Sequence, residues 1–206
     1  MAMDDTTTRA LPVIVARDTG RTNRVPPGQY TTVKWPVLDL NGPPRFDPNT
    51  WRFRVFGLVD KEIKLTYDGF KSLPRVLLKS DFHCVTRWSK LDNTWEGVQT
   101  GEIAKVAGVK PNATHVILYC HGPYTTNLPL DEFLPDENVF AWKHDGQDLE
   151  PDHGYPLRLV VPSLYAWKSA KWVEGVEFIS RDRPGYWEVR GYHNHADPWT
   201  EERFGF

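Results

Sequence analysis

Apolar residues in this chain come in short runs that prolines, glycines and charged residues interrupt, so only short strands and short helices can form. Trp51, Phe53 and Val55 alternate with Arg52 and Arg54, which is the period of a half-buried strand. Further runs with strand character lie at 75–82, 115–120, 139–142, 157–161 and 172–179. The pattern therefore predicts many short strands.

Helix signals are few and short. Thr66 is expected to cap a helix that Pro74 ends, and Thr100 is expected to cap a second one. Residues 130–134 predict a single helical turn, and the polar stretch 91–97 predicts a loop. Many strands with few helices indicate an α+β domain with mixed β-sheets.

Length and charge limit the class of protein. A chain of 206 residues is long enough for one domain, which we place at 29–206 after a flexible N-terminal arm, 1–28. The net charge of -2 argues against a nucleic-acid binder, and no apolar run is long enough to cross a bilayer. The N-terminus lacks an export signal, so a cytoplasmic protein with reduced Cys84 and Cys120 is expected.

One cysteine lies in a setting that favours chemistry. In the stretch Asp81–Trp88, Cys84 follows His83 and precedes Arg87, and neighbouring cations favour the thiolate. A thiolate acts as a nucleophile or as a soft metal ligand. The alternative is that Cys84 is a small buried apolar residue at the end of a strand.

Two other arrangements could bind a metal. The pairs His83–Cys84 and Cys120–His121 could meet at strand ends and hold zinc, although their spacing is not that of a usual zinc motif. The sequence His193-Asn194-His195 could also hold a metal, or could be a surface or packing element of an aromatic tail.

A candidate anion pocket lies later in the chain. Arg158 follows the stretch His153–Leu157, and residues 168–171 supply two lysines and a serine. Arginine binds phosphate through a planar fork, and lysine adds a point charge. The alternative is a solvated basic surface loop, and no Walker glycine loop points to a nucleotide.

Several motifs together resemble a known family. They are Phe82–Trp88, Trp95–Val98, His153–Pro162 and Lys168–Val173. These motifs are similar to the molybdopterin-binding domain of the sulfite oxidase superfamily, and the resemblance covers about residues 29–179. The chain looks most like the small stand-alone bacterial members, which include relatives of the catalytic subunit of the protein-methionine-sulfoxide reductase. The resemblance implies the sulfite oxidase-type molybdopterin-binding fold.

The resemblance also implies roles for individual residues. Cys84 would be the protein ligand of molybdenum in a molybdenum–molybdopterin cofactor. The residues implied to contact the cofactor are His83, Cys84, His121, His153, Arg158, Ser169, Ala170 and Lys171. Those implied to contact substrate are Arg87 and Tyr124, and the implied catalytic residues are Cys84 and Arg87.

The implied activity is oxygen-atom transfer to or from a small sulfur- or nitrogen-oxo substrate, by a cytoplasmic enzyme with an unknown electron-transfer partner and no nucleic-acid or membrane partner. One stretch departs from the family pattern: in Tyr30–Val37, Thr32 and Lys34 replace the arginine and histidine that sulfite oxidases carry. This departure lowers the expectation for sulfite.

Two alternatives stay open at the level of sequence. One is a molybdopterin-binding or carrier module without turnover, which would have the same pocket. The other is an enzyme with Cys84 as nucleophile, activated by His83 or His121.

Overall fold

In a computed structural model of the chain, residues 10–205 are described, and they form two β-sheets with short helices. The strands are β1 (Val13–Val15), β2 (Tyr30–Thr31), β3 (Phe53–Gly57), β4 (Ile63–Leu65), β5 (Val76–His83), β6 (Trp88–Gln99), β7 (His115–Cys120), β8 (Thr125–Pro129), β9 (Val139–His144), β10 (Gln147–Asp148), β11 (Arg158–Val160) and β12 (Val173–Ile179). The α-helices are α1 (Tyr67–Lys71), α2 (Thr100–Ala107) and α3 (Leu130–Phe133), and 3-10 turns cover Arg17–Gly20, Pro151–His153 and Glu188–Arg190.

The larger sheet has seven strands in the order β1-β5-β6-β9-β10, with β2 paired to β6 and β11 paired to β9. Its longest pairing is the antiparallel hairpin of β5 and β6. Strands β6 and β9 come unusually close, because a Cβ on Gly97 would lie 2.2 Å from the carbonyl oxygen of Phe140. Only glycine fits there without moving the backbone.

The smaller sheet has the order β4-β3-β12-β7-β8 and packs on one face of the larger sheet. Successive residues of β9 point to opposite faces, as a strand requires. Phe140 and Trp142 enter the core between the sheets, while Val139 and Ala141 enter a second cluster on the outer face. Cys84 belongs to that outer cluster.

The expected mixed α+β class is confirmed, and so is the cap of α1, since the Thr66 side chain accepts a hydrogen bond from the Gly69 N–H. The expected loop at 91–97 is wrong, because these residues lie in β6. The stretch lacks the alternation of apolar and polar residues that marks a strand, because one of its buried residues is polar. Asn93 is buried, and its amide donates to the carbonyls of Ser80 and Lys90. Thr100 is the first residue of α2 and does not cap it.

Part of the expected N-terminal arm is attached to the sheet. Within residues 10–28, β1 pairs in parallel with β5, and Arg24 makes a two-pronged ion pair with buried Asp81 at 2.5 and 2.8 Å. Such bidentate pairs hold geometry well. The division of the chain at residue 28 stays a prediction, and residues 1–9 lie outside the described part. No helix within 10–205 is long and apolar enough to cross a membrane.

Candidate cofactor site

Cys84 is the first residue of the short loop that joins β5 to β6. Its N–H donates to the carbonyl of Trp88 at 2.9 Å, and its carbonyl accepts from the N–H of Arg87 at 3.0 Å. Arg87 has a φ of 75°, the left-handed conformation that closes this tight loop. The hydroxyl of Thr86 donates to the Cys84 sulfur at 3.1 Å.

The expectation that Cys84 ionises easily is wrong for the chain without cofactor. Burial raises the pKa of the Cys84 thiol, and the hydrogen bond from Thr86 opposes that effect only in part. His83 supplies no cation, because burial lowers its pKa to about 4. Arg87 is exposed. A soft metal ion that replaces the proton would offset the free-energy cost of ionising this buried thiol, since metals bind the thiolate form.

A cavity of about 410 Å³ opens beside Cys84. It is lined by nearly all the residues that the family resemblance implied, namely Cys84, His121, Tyr124, His153, Arg158, Ser169, Ala170 and Lys171. The chain therefore brings together the cysteine loop and the candidate anion pocket, although they are far apart in sequence. His83 and Arg87 are not among the lining residues.

His83 and Arg87 have other surroundings. His83 is almost fully buried, and its Nδ1 lies 2.8 Å from the Ser89 hydroxyl. The Arg87 guanidinium lies beside Gly28, since a Cβ there would be 3.4 Å from its Nη1. These positions do not support direct contact of either side chain with a group in the cavity, and the substrate role of Arg87 stays a prediction.

Arg158 links the two segments that form the basic end of the cavity. Its Nη1 donates to the His153 carbonyl at 2.8 Å and its Nη2 to the Ser169 carbonyl at 3.0 Å. Three aromatic rings surround the guanidinium at 5.0–5.4 Å, those of Trp35, Phe82 and Trp95. Burial lowers the pKa of Arg158 to about 9. Arg158 thus fixes the shape of the anion pocket.

Lys171 and Ser169 complete the basic end. The Lys171 ammonium donates to the Asp152 carbonyl at 2.8 Å and lies 3.9 Å from Asp39. Burial lowers its pKa to about 8, with a further contribution from Arg158. The Ser169 hydroxyl accepts from the Val161 N–H at 2.9 Å. An anion placed here would stabilise the charged lysine.

Lys168 does not belong to this pocket, contrary to the sequence-based prediction of two lysines in one anion site. Its ammonium is fully buried and lies 2.7 Å from the Glu188 carboxylate, which also accepts from Thr126 and Trp167. The Asn127 carbonyl accepts from Lys168 at 2.9 Å. The pair joins the loop before Ser169 to the C-terminal tail.

Sequence reasoning missed two walls of the cavity. The segment Trp35–Asn41 covers the basic end, where Trp35 stacks on His153 with ring centroids 3.8 Å apart. The tail supplies Trp187 and Tyr192 near Trp167. The Tyr124 hydroxyl donates to the Trp167 carbonyl. The tail lacks any periodic pattern, and its aromatic content was the one available signal.

The two alternative metal sites are not supported. Within the described residues, no cluster of three or more histidine, cysteine or acidic side chains could hold a metal ion. His195 instead lies 2.7 Å from Glu202 and 3.4 Å from Glu132, and the bond to Glu132 is the main reason that its pKa is raised to about 9. It fastens the tail to α3. Cys120 is a buried core residue.

The cavity fits a pterin cofactor with a terminal phosphate. Its lining combines a single soft sulfur donor, Cys84, with the basic side chains Lys171, Arg158 and His153. The indole N–H of Trp88, a lining residue, is buried and has no hydrogen-bond partner among residues 10–205, so it can donate to a polar group bound in the cavity. A family model described as the oxidoreductase molybdopterin binding domain matches residues 40–187.

The chain belongs to this family. The expected oxidoreductase class and molybdenum–molybdopterin cofactor are thereby confirmed. Sulfite oxidases and nitrate reductases also match, at 22% to 29% identity, which confirms the resemblance to their superfamily.

Two relatives and one solved structure illustrate the likeness. The chain is 47% identical over 189 residues to the uncharacterized oxidoreductase YuiH of Bacillus subtilis, covering 91% of this chain and 96% of that one. It is 29% identical to a putative protein-methionine-sulfoxide reductase subunit, YedZ1, of Azospira oryzae, covering 71% and 56%. The sulfane dehydrogenase SoxCD of Paracoccus pantotrophus shares the fold, with a TM-score of 0.67 at 20% identity over 80% of this chain and 48% of that one.

Proposed function

We propose that this oxidoreductase transfers an oxygen atom to or from a small sulfur- or nitrogen-oxo compound. The observation that carries the proposal is that Cys84 and the basic cluster of His153, Arg158 and Lys171 line one cavity. A molybdenum–molybdopterin cofactor bound there supplies two-electron redox chemistry. The remaining steps depend on side chains of this chain.

Cys84 would ligate the metal, and Thr86 would donate a hydrogen bond to its sulfur, as it does at 3.1 Å here. Hydrogen bonds to a ligating sulfur fix its orientation and adjust its electron donation. Lys171 and the backbone at Ser169 and Ala170 would hold the pterin phosphate. Arg158 connects the two segments of that pocket through its hydrogen bonds to the carbonyls of His153 and Ser169.

The substrate would enter at the Cys84 end of the cavity, whose walls are largely aromatic: Tyr124, Trp167, Trp187 and Tyr192. Thr32 and Lys34, which replace the family arginine and histidine, do not line the cavity. The lining therefore lacks the extra cations that a small dianion such as sulfite requires. A neutral oxo compound fits this end better, and the name of the Azospira relative is consistent with a sulfur-oxo substrate.

We further propose a cytoplasmic location and a separate electron-transfer partner. Both cysteines of the chain are free thiols, which suits a reducing compartment. Oxygen-atom transfer moves two electrons, so each turnover would require an electron donor or acceptor besides the substrate. Fractionation of the host cell, followed by immunodetection, tests the location.

Expression in a molybdate-fed host tests the central proposal. The purified protein should contain about one molybdenum per chain, a stoichiometry set by the one cysteine in the cavity. Cys84→Ser should abolish turnover of sulfoxides and N-oxides with dye electron donors or acceptors. Cys120→Ser is the matched control, because Cys120 is equally buried but belongs to the core between the sheets. Its variant should retain metal and turnover.

Three results would count against the proposal. Absence of molybdenum from the wild-type protein would refute the cofactor assignment. Full metal content with no turnover on any substrate of the panel would favour a carrier module. Stoichiometric alkylation of Cys84 by iodoacetamide in cofactor-loaded protein would favour a nucleophilic cysteine, because a metal-bound sulfur is protected.

A further inference from the structure

Arg203 lies in the C-terminal tail, beyond the residues 40–187 that the family model matches. Only 7% of its surface is exposed. Its guanidinium packs over the ring of Tyr165 at 4.9 Å. Burial of this extent calls for an explanation, since arginine is almost never fully buried without a partner.

The guanidinium holds the loop that carries Cys84. Its Nη1 donates to the carbonyl of Val85 at 2.7 Å, and its Nη2 donates to the Gln29 side-chain oxygen at 3.3 Å. The Gln29 amide in turn donates to the carbonyls of Cys84 at 3.0 Å and Trp88 at 3.3 Å. Two segments outside the matched region therefore meet on the backbone of the cysteine loop.

Within the described residues, the positive charge of Arg203 is compensated only in part, since most of its hydrogen-bond acceptors are neutral oxygens, including the Pro27 carbonyl at 3.4 Å. Its one carboxylate within ion-pair distance is Glu201 at 3.6 Å, and that side chain is about half exposed. The Arg203 Nε is buried without a hydrogen-bond partner. A second cation, Arg87, shares that one carboxylate, because a Cβ on Gly28 would lie 2.5 Å from Glu201 Oε1, 3.3 Å from Arg203 Nη2 and 3.4 Å from Arg87 Nη1. A buried cation in such surroundings is costly unless an anion lies nearby.

Cys84 is placed to supply that anion. The Arg203 guanidinium donates to the carbonyl of the next residue, Val85, at 2.7 Å, so a negative charge on the buried Cys84 side chain would lie close to a buried positive charge. A sulfur that ligates a metal is a thiolate and carries negative charge. That charge would act as the counter-ion of the buried Arg203 guanidinium, and the guanidinium would stabilise the thiolate.

We propose that Arg203 is a positioning residue for Cys84: it clamps the cysteine loop and serves as the buried counter-cation of the thiolate–metal centre. This inference rests on the proposed function. A fixed positive charge near a metal centre stabilises the reduced form, which carries one negative charge more. Arg203 therefore raises the reduction potential of the bound metal.

The test is an electron paramagnetic resonance titration of molybdenum-loaded protein, comparing wild type with three variants. Arg203→Gln removes the positive charge. Arg203→Lys keeps the charge but loses the planar guanidinium that bonds Val85 and Gln29 at the same time. Arg190→Gln is the control, since Arg190 is an exposed arginine of the same tail that donates to the Tyr186 carbonyl. Thermal unfolding of each variant confirms that it is folded.

Arg203→Gln should shift the molybdenum potential to lower values and alter the resonance signal of the one-electron-reduced metal, while Arg190→Gln leaves both unchanged. Arg203→Lys should keep most of the wild-type potential. If folded Arg203→Gln protein does not load metal, then loaded Arg203→Lys protein with a near-wild-type potential supports the assignment.

Two results would overturn it: an unchanged potential in loaded Arg203→Gln, or equal loss of metal from both folded variants. Wild-type protein without molybdenum would instead refute the proposed function, so the two failures are distinguishable.

Discussion

The buried ion pair of Lys168 and Glu188 yields a stability prediction with a definite magnitude. Both side chains are essentially inaccessible, and the ammonium–carboxylate distance is 2.7 Å. Burial lowers the pKa of Lys168 and Glu188 raises it, so the lysine depends on this partner to stay charged. Glu188→Gln leaves the ammonium in place without its counter-ion.

Removing one member of a buried pair costs about 3–5 kcal/mol. For a domain of this size, each kcal/mol lowers Tm by about 2–4 °C, so Glu188→Gln should lower Tm by roughly 6–20 °C. Glu102→Gln is the matched control, because Glu102 pairs with Lys105 on the surface of α2 at 3.6 Å. Exposed pairs contribute about 0–1 kcal/mol.

Differential scanning calorimetry of the two variants decides the matter. A double variant, Lys168→Met with Glu188→Gln, should recover part of the loss, because it removes both buried charges together and keeps a side-chain oxygen that can accept from Thr126 and Trp167. If the Tm of Glu188→Gln lies within two degrees of the Tm of Glu102→Gln, the buried pair does not contribute the stability expected here. Recovery of Tm in the double variant would show that the loss in Glu188→Gln comes from the unpaired lysine charge and not from general disruption of the tail.

Three further predictions follow from other parts of the structure. Gly97→Ala should lower Tm by several degrees in calorimetry, because its Cβ would lie 2.2 Å from the Phe140 carbonyl oxygen; an unchanged Tm would contradict the close strand approach. The pKa of His195 is raised from 6.5 to about 9, so its stabilising effect is complete below pH 6.5 and is lost as pH rises through 9. Urea unfolding should show a stability deficit of His195→Gln at pH 6 that disappears at pH 10. The pKa of Lys171 is lowered to about 8, so retention of the phosphate-bearing pterin should fall above that pH, and Lys171→Arg should flatten the fall in a pterin-fluorescence assay.

Local patterns predicted the strands that alternate cleanly and missed those that depend on distant partners. Trp51–Gly57 reads as a strand because its buried side is apolar. Residues 91–97 do not, because buried Asn93 satisfies its amide only after β5 and β6 have paired. Val13–Val15 is short and has exposed valines, and it is a strand because β5 lies beside it.

The site divides in the same way. Charge and residue type predict an anion pocket with Arg158 and Lys171, and the family resemblance adds Cys84 to the same cavity, since a motif carries the geometry of its fold. His83 and Arg87, which the resemblance also implied, do not line the cavity. The contributions of Lys168 and Arg203 were not foreseeable. Whether a lysine faces an anion pocket or a buried glutamate depends on where the tail packs, and nothing in the tail's local sequence specifies that.

The cavity borders come from Trp35–Asn41, the cysteine loop, residues 153–172 and the tail to Tyr192. These borders are more than 150 residues apart along the chain, from Trp35 to Tyr192. A fragment that stops before Tyr192 would therefore lack one wall of the receptacle for the pterin. Binding of the cofactor thus depends on tertiary folding of the whole segment and not on any one motif.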